Sequence, residues 1–308
     1  MCIICRGEYD GQKFIECKMC PYLSIFPNIE GLQKLFCYDC PLLTSIPNIE
    51  GLQRLHCISC PLLTTIPNIK GLQILHCSNC SLLTTISYIE GLQELYVYSC
   101  PLLTTIPNIA RLAKLASNYC PLSIIPNIEG LQELNLSFCP LLTTIPNIEG
   151  LWLLECVNCP LLITIPDIEG LLILDCSNCP LLTLIPNIHG LQVLTCSNCP
   201  LLTSIPDIEG LQTLECLHCK RLISIPNIEH LYYLNCSNCP FLLAISTATL
   251  IISNDCKWLK ENYKGDYSIY NKLIYKLKKL QRWTRNNLRS LWARDILHLK
   301  SITIDFIK

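Results

Sequence analysis

Leucine, isoleucine and cysteine return along this chain at a fixed interval of 20 residues. The stretch Leu32-Gln33-Lys34-Leu35-Phe36-Cys37-Tyr38-Asp39-Cys40-Pro41-Leu42-Leu43-Thr44-Ser45-Ile46-Pro47-Asn48-Ile49-Glu50-Gly51 starts again at Leu52, Leu72, Leu92, Leu112, Leu131, Leu151, Leu171, Leu191, Leu211 and Leu231. A worn copy begins near Gln12 and a terminal fragment surrounds Cys256, so about twelve units are expected. One unit, Leu112–Gly130, is a residue short. Positions are numbered below as slots, with the opening Leu as slot 1 and the closing Gly as slot 20.

The spacing inside a unit predicts its local structure. Leu92-x-x-Leu95-x-Val97 alternates with period 2 at its end, the mark of a short strand with one buried face. Cys100 ends the strand, because Pro101 lacks an N–H and fixes φ. Leu102, Leu103, Ile106 and Ile109 are then expected to turn back inward from irregular backbone. Pro107 keeps that return segment extended and moves Ile106 away from helical angles. The 20 prolines all fall in slots 10 and 16, and nine of the 12 glycines close a unit. Glycine there permits a tight corner. Twenty residues cannot hold a strand, two turns and a real helix, so the return path is expected to be extended or a 3₁₀ turn. No unit can bury its apolar face alone. Stacking buries it, with strands joining in a parallel sheet about 4.8 Å apart.

Leu-x-x-Leu-x-Val-x-x-Cys-x-Leu, as in Leu92–Leu102, resembles the leucine-rich-repeat signature with Cys in its Asn/Cys slot. The short Leu-Thr-x-Ile-Pro-x-Ile return resembles the shortest such repeats, known from bacterial effector proteins. The Cys-Ser-Asn-Cys-Pro-Leu-Leu units and the basic tail resemble repeat proteins of giant amoeba-infecting DNA viruses. The resemblance implies a leucine-rich-repeat solenoid, and the fold expected is that solenoid with a parallel β-sheet on the concave face, extended or 3₁₀ return segments on the convex face and, from the tail's own pattern, a short helical C-terminal cap. It also implies a protein-binding platform. The expected domains are an N-terminal cap at 1–11, the solenoid at 12–256 and a basic amphipathic helical tail at 257–308.

The 24 cysteines invite disulfide or zinc readings. The repeat frame favours packing. The first Cys of a unit stands where Val97 and Leu136 stand elsewhere, and the second occupies a slot for a small buried side chain. That many thiols point to a reducing, cytosol-like location. Cys2, Cys5, Cys17 and Cys20 form two Cys-x-x-Cys pairs, a spacing that would also suit a four-thiolate zinc site. The reading adopted is that Cys17 and Cys20 fill the first repeat's slots and Cys2 and Cys5 belong to the cap, with no metal assigned.

Slots 3, 5, 7 and 8 should point out of the core, and these vary while the buried slots stay nearly fixed. Candidate partner-binding residues are Phe36, Tyr38, Arg54, His56, His76, Glu94, Tyr96, Tyr98, Tyr119, Glu133, Phe138, Glu155 and Asp175. Aromatic groups on a rigid sheet offer large contact area for little entropy. His56 and His76 share a slot, have no carboxylate partner in sequence and are read as surface residues.

Charge separates the tail. Residues 257–308 carry 13 of the 23 Lys+Arg and 4 of the 24 Asp+Glu. Tyr270–Lys308 reads as a basic amphipathic helix, with Leu273, Leu277, Leu280 and Trp283 at threes and fours. Such helices cap, or bind calmodulin-like proteins or anionic surfaces. Leu280-Gln281 with Arg285 resembles part of a calmodulin-binding IQ motif, but Asn286 and Ser290 depart from it. No secretory leader, transmembrane segment, nucleic-acid motif, phosphate loop, His-Glu-x-x-His or nucleophile elbow is read from the sequence. Neither a ligase domain after the repeats nor a recruitment box before them is expected from the lengths available. The expectation is therefore a non-enzymatic scaffold with no cofactor, a viral protein acting on a host factor in host cytoplasm. A ubiquitin-ligase substrate adaptor and a structural virion component are the alternatives.

Overall fold

The computed structural model describes residues 2–9, 11–243, 248, 250–253 and 256. All lie in the first of the chain's two units, Met1–Glu261; the second is Asn262–Lys308. The helix expected at Tyr270–Lys308 lies outside the described residues.

Thirteen strands follow one another in a single parallel sheet, from Phe14–Lys18 through Lys34–Tyr38 and Arg54–Ile58 to Tyr233–Asn235 and Leu250–Ile252. Most pairings join a residue to the one 20 places on, as Leu35 pairs Leu55 and Cys37 pairs Cys57. The short unit changes the step, so Lys114 pairs Glu133 and Leu115 pairs Leu134. The terminal fragment steps by less again, with Leu234 against Ile251. The return segments are extended among the described residues, and one small two-stranded sheet joins Thr65–Ile66 to Thr85–Ile86. The sole described helix is one turn, Ile3–Arg6 (α1), closed by Gly7 in the left-handed region. No helix among the described residues is long and apolar enough to cross a membrane.

The core is one column. The residues in slots 1, 4, 6, 9, 12, 15 and 18 are fully or almost fully buried in unit after unit, as in Leu52, Leu55, Cys57, Cys60, Leu63, Ile66 and Ile69. The cysteines of the repeats are therefore core residues. Slot-9 thiols also donate to the carbonyl of slot 6 one coil earlier: Cys80 to Cys57 at 3.4 Å, Cys159 to Leu136 at 3.2 Å, Cys239 to Cys216 at 3.1 Å.

One expected inward leucine points out instead. Leu102 is 46% exposed while Leu103 is fully buried. The amide of Leu103 bonds to the carbonyl of Cys100, closing a turn whose ends lie inside and whose middle pair, Pro101 and Leu102, lies outside. The same turn puts Leu42, Leu62, Leu82, Leu141, Leu161 and Leu181 on the surface. These leucines form a row along the stack. The short unit interrupts it, because its single leucine after Pro121, Leu122, fills the buried slot.

The first six strands run five residues and the next seven run three. In three of the seven short strands, slot 5 carries a short acceptor. Asn135, Asp175 and Asn235 accept the amide of the residue two places on, at 3.0, 3.1 and 3.3 Å. These are Asx turns, which compete with an extended ladder. Phe36, His56, His76 and Tyr96 hold slot 5 in the earlier coils and have no such short acceptor.

Each coil passes twice through left-handed backbone. The closing residue does so with φ near +80°, as at Gly51, where the amide of Leu52 returns to Ile49. Arg111 and His230 hold that slot without being glycine, at φ 69° and 68°. An L-residue there costs about 1 kcal/mol. Arg111→Gly and His230→Gly should each raise the unfolding free energy measured by urea denaturation, by up to about 1 kcal/mol, and Gly150→Ala should lower it by a similar amount. Nothing lies within 4 Å of a Cβ at Gly150, so the backbone alone sets that cost.

Candidate functional site

The outward side chains of the sheet stack coil on coil, and slot 5 builds the longest row. Phe14, in slot 3 of the first coil, reaches across to Phe36 and meets it edge-on at 5.1 Å between ring centroids. Phe36 lies nearly flat on His56 at 4.1 Å, and His56 meets His76 at 5.4 Å. His76 contacts Tyr96 at 6.0 Å and Tyr98 at 5.6 Å. Tyr38 flanks the row from slot 7, with Lys18 over its ring at 5.7 Å. Ring pairs of this kind contribute about 0.5–1.5 kcal/mol each beyond their buried area.

This row corrects the exposure expected for two of its members. His56 is 3% exposed and His76 6%, although both point to the outer side of the sheet. Their neighbours one coil away cover them, a contact invisible in a single unit. His76 also bonds Ser78 Oγ through Nε2 at 2.7 Å. Its pKa is pushed down to about 3, first by burial and then by the nearby His56. It therefore stays neutral around pH 7.

Past Tyr96 the row changes character. Ala116, in register with Tyr96, is buried and leaves a step. Polar pairs then take over. The Tyr96 hydroxyl donates to Glu94 Oε2 at 2.7 Å, Lys114 Nζ sits 2.8 Å from Glu133 Oε1, and Asn135 Nδ2 donates to Glu155. Glu133 is consequently almost buried. Asp175 accepts its local amide, so one of its oxygens shapes backbone. Burial, with Glu94 beside Tyr96 and Glu155 beside Tyr98, pushes both phenols up. The Tyr98 hydroxyl is buried and has no hydrogen-bond partner among the described residues. Arg54 is exposed at the edge of the aromatic row.

Tyr119 and Phe138 sit elsewhere. Slot 8 is not part of a strand: in every coil from Met19 to Asn238 it is left-handed, with φ of 49° to 62°. Asparagine, which tolerates that conformation, holds it in Asn79, Asn158, Asn178, Asn198 and Asn238. Tyr119 and Phe138 instead project from the rim, 54% and 38% exposed, with their rings stacked at 4.2 Å. The thirteen candidates thus form a row of part-buried rings around two buried histidines with exposed Arg54 beside it, a part-buried polar continuation and an exposed rim pair. The exposed leucine row lies outside all three and was missed, because nothing in one unit distinguishes Leu102 from Leu103.

A further cluster lies at the N-terminal end. The sulfurs of Cys2, Cys5 and Cys20 lie within 4.8 Å of one another.

The leucine-rich-repeat family model matches residues 130–152. Among solved structures, the leucine-rich repeat domain of the type III effector XopL is similar over 57% of this chain and 72% of its own, at 23% identity and a TM-score of 0.50. A leucine-rich cell surface protein from Faecalibacterium prausnitzii is similar over 76% of this chain and 78% of its own, at 14% identity and a TM-score of 0.36. No curated protein sequence matches. The fold is a leucine-rich-repeat solenoid.

The buried histidine gives a pH signature. Between its unfolded pKa, about 6.5, and its folded value, the unfolded chain binds the extra proton, so stability falls as pH drops through that window. The limiting slope is about 1.4 kcal/mol per pH unit for one such group. Replacing His76 with Phe should keep the ring stack and flatten the denaturation midpoint between pH 6 and pH 4.

Proposed function

We propose that this chain is a protein-binding scaffold that takes its partner on the strand face of its N-terminal half. The observation that carries the reading is the aromatic row, continuous over the coils from Phe14 to Tyr96 and fixed by its own stacking. Rings held this way lose little freedom on binding, and part-buried Phe36, Tyr38, Tyr96 and Tyr98 still present their edges. His56 and His76 support the row from within. Arg54 supplies a cation at its margin, and Glu94, Glu133, Glu155 and Asp175 make the continuation acidic. Tyr119 and Phe138 extend the contact at the rim. A partner with an apolar patch beside basic groups fits this order.

The finer reading is a viral protein acting on a host factor in reducing cytoplasm, with adaptor and virion roles as alternatives. Near-identical units and many buried thiols support it. Ellman titration of denatured, unreduced protein should find close to all 24 thiols free; substantially fewer would remove the argument for a reducing location.

The exposed leucine row supports a second surface. Affinity capture from amoebal lysate separates the two. Arg54→Glu and the double change Tyr96→Ala with Tyr98→Ala should each reduce partner recovery by about tenfold or more, the loss expected of central contacts. Leu62→Ser with Leu82→Ser should leave recovery unchanged. The opposite pattern, with all variants melting like the parent, would move the interface to the leucine row.

A further inference from the structure

The slot-9 cysteine has a regular duty, donating its S–H to the coil before it. Cys40 reaches the carbonyl of Cys17 at 3.7 Å and Cys60 that of Cys37 at 3.8 Å. Cys20 belongs to the first coil and has no coil before it. Two further thiols stand there instead. Cys5 Sγ is 3.4 Å from Cys20 Sγ and 3.6 Å from Cys2 Sγ, and all three sulfurs lie within 4.8 Å. Four sulfurs at about 2.3 Å from one zinc ion stand about 3.8 Å apart, so these separations are those of a tetrahedral thiolate face. Cys17 is outside the mutual trio, but its thiol neighbours that of Cys2. The backbone suits the convergence: α1 carries Cys5 one turn from Cys2 and ends on left-handed Gly7, while left-handed Met19 turns the chain between Cys17 and Cys20.

We propose that Cys2, Cys5 and Cys20 bind a structural zinc ion, with Cys17 as the fourth ligand, and that the metal fastens α1 over the open end of the sheet. Each thiol gives its proton to solvent as the metal enters. No oxidation is involved, and the slot reading of Cys17 and Cys20 stays true: the first coil uses the same positions, but its open end leaves their sulfurs to a metal. No other group of three or more Cys, His, Asp or Glu among the described residues brings its ligand atoms together in this way.

The test is metal content of the full chain purified without chelator, with cobalt substitution as the probe of ligand type. The chain should carry about one zinc per molecule, and cobalt should give thiolate charge-transfer absorption with a tetrahedral d–d envelope. Cys2→Ser with Cys5→Ser should drop zinc below about a tenth of that while the repeats still melt cooperatively, and Cys37→Ser should keep it. Cys17→Val preserves packing, since Val97 fills the same slot, and should weaken zinc binding at least about tenfold. Zinc unaffected by Cys17→Val would overturn the fourth ligand. No metal above the Cys2/Cys5 double variant, or a disulfide from Cys20 to either cap cysteine in protein kept under reductant, would overturn the site.

Discussion

No coil of this protein can close its own core. Twenty residues make one strand and one return, with seven apolar side chains aimed at a space that the coil itself does not cover. Leu55, Cys57 and Ile66 are buried because Leu35, Cys37 and Ile46 lie on one side and Leu75, Cys77 and Ile86 on the other. Stability in such a stack is a sum over neighbouring contacts, so each coil depends on its two flanks and only indirectly on the rest. Two ends are left uncovered by that rule, and the chain treats them differently. One receives α1 and its cysteines; the other receives Leu250–Ile252 and the buried thiol of Cys256, which reaches back to the carbonyl of Cys236 at 2.8 Å.

The abundance of cysteine follows from the same geometry. Slot 6 takes a compact side chain, and Val97, Leu136 and Ser117 show that sulfur is optional there. Slot 9 asks for more: something small that can donate a hydrogen bond to the neighbouring coil. Cysteine meets both demands. Most of the thiols are sealed, and burial pushes those of Cys139, Cys176 and Cys199 up, away from the reactive thiolate. The thiols of α1 are only part-buried, so the chemistry open to sulfur concentrates at that end.

The strand ladder, its near-constant register and the buried slots were legible in the sequence, because they depend on spacing within a unit and on the sameness of successive units. What escaped depends on a neighbour or on backbone detail. His56 and His76 read as surface residues in their own coils and are hidden only by Phe36, Tyr96 and Tyr98. Leu102 and Leu103 are the same residue type in adjacent places, and a turn sends one out and the other in. Tyr119 and Phe138 occupy a corner whose left-handed backbone is hinted at by the asparagines of other coils. Asn135, Asp175 and Asn235 hinted at shorter strands in three of the later coils, but only as a competition between side chain and ladder.

The nineteen-residue unit Leu112–Gly130 carries a further consequence. In an array of near-copies a coil can dock on the wrong neighbour during folding and throw out a loop, with nearly the right leucines in contact. Such misthreading is cheap wherever flanking coils are interchangeable. This unit is not interchangeable: it lacks an outer leucine, places Ala116 and Ser117 where others place larger or thiol groups, and shifts the pairing step by one. It works as an index mark from which the coils on either side can be counted.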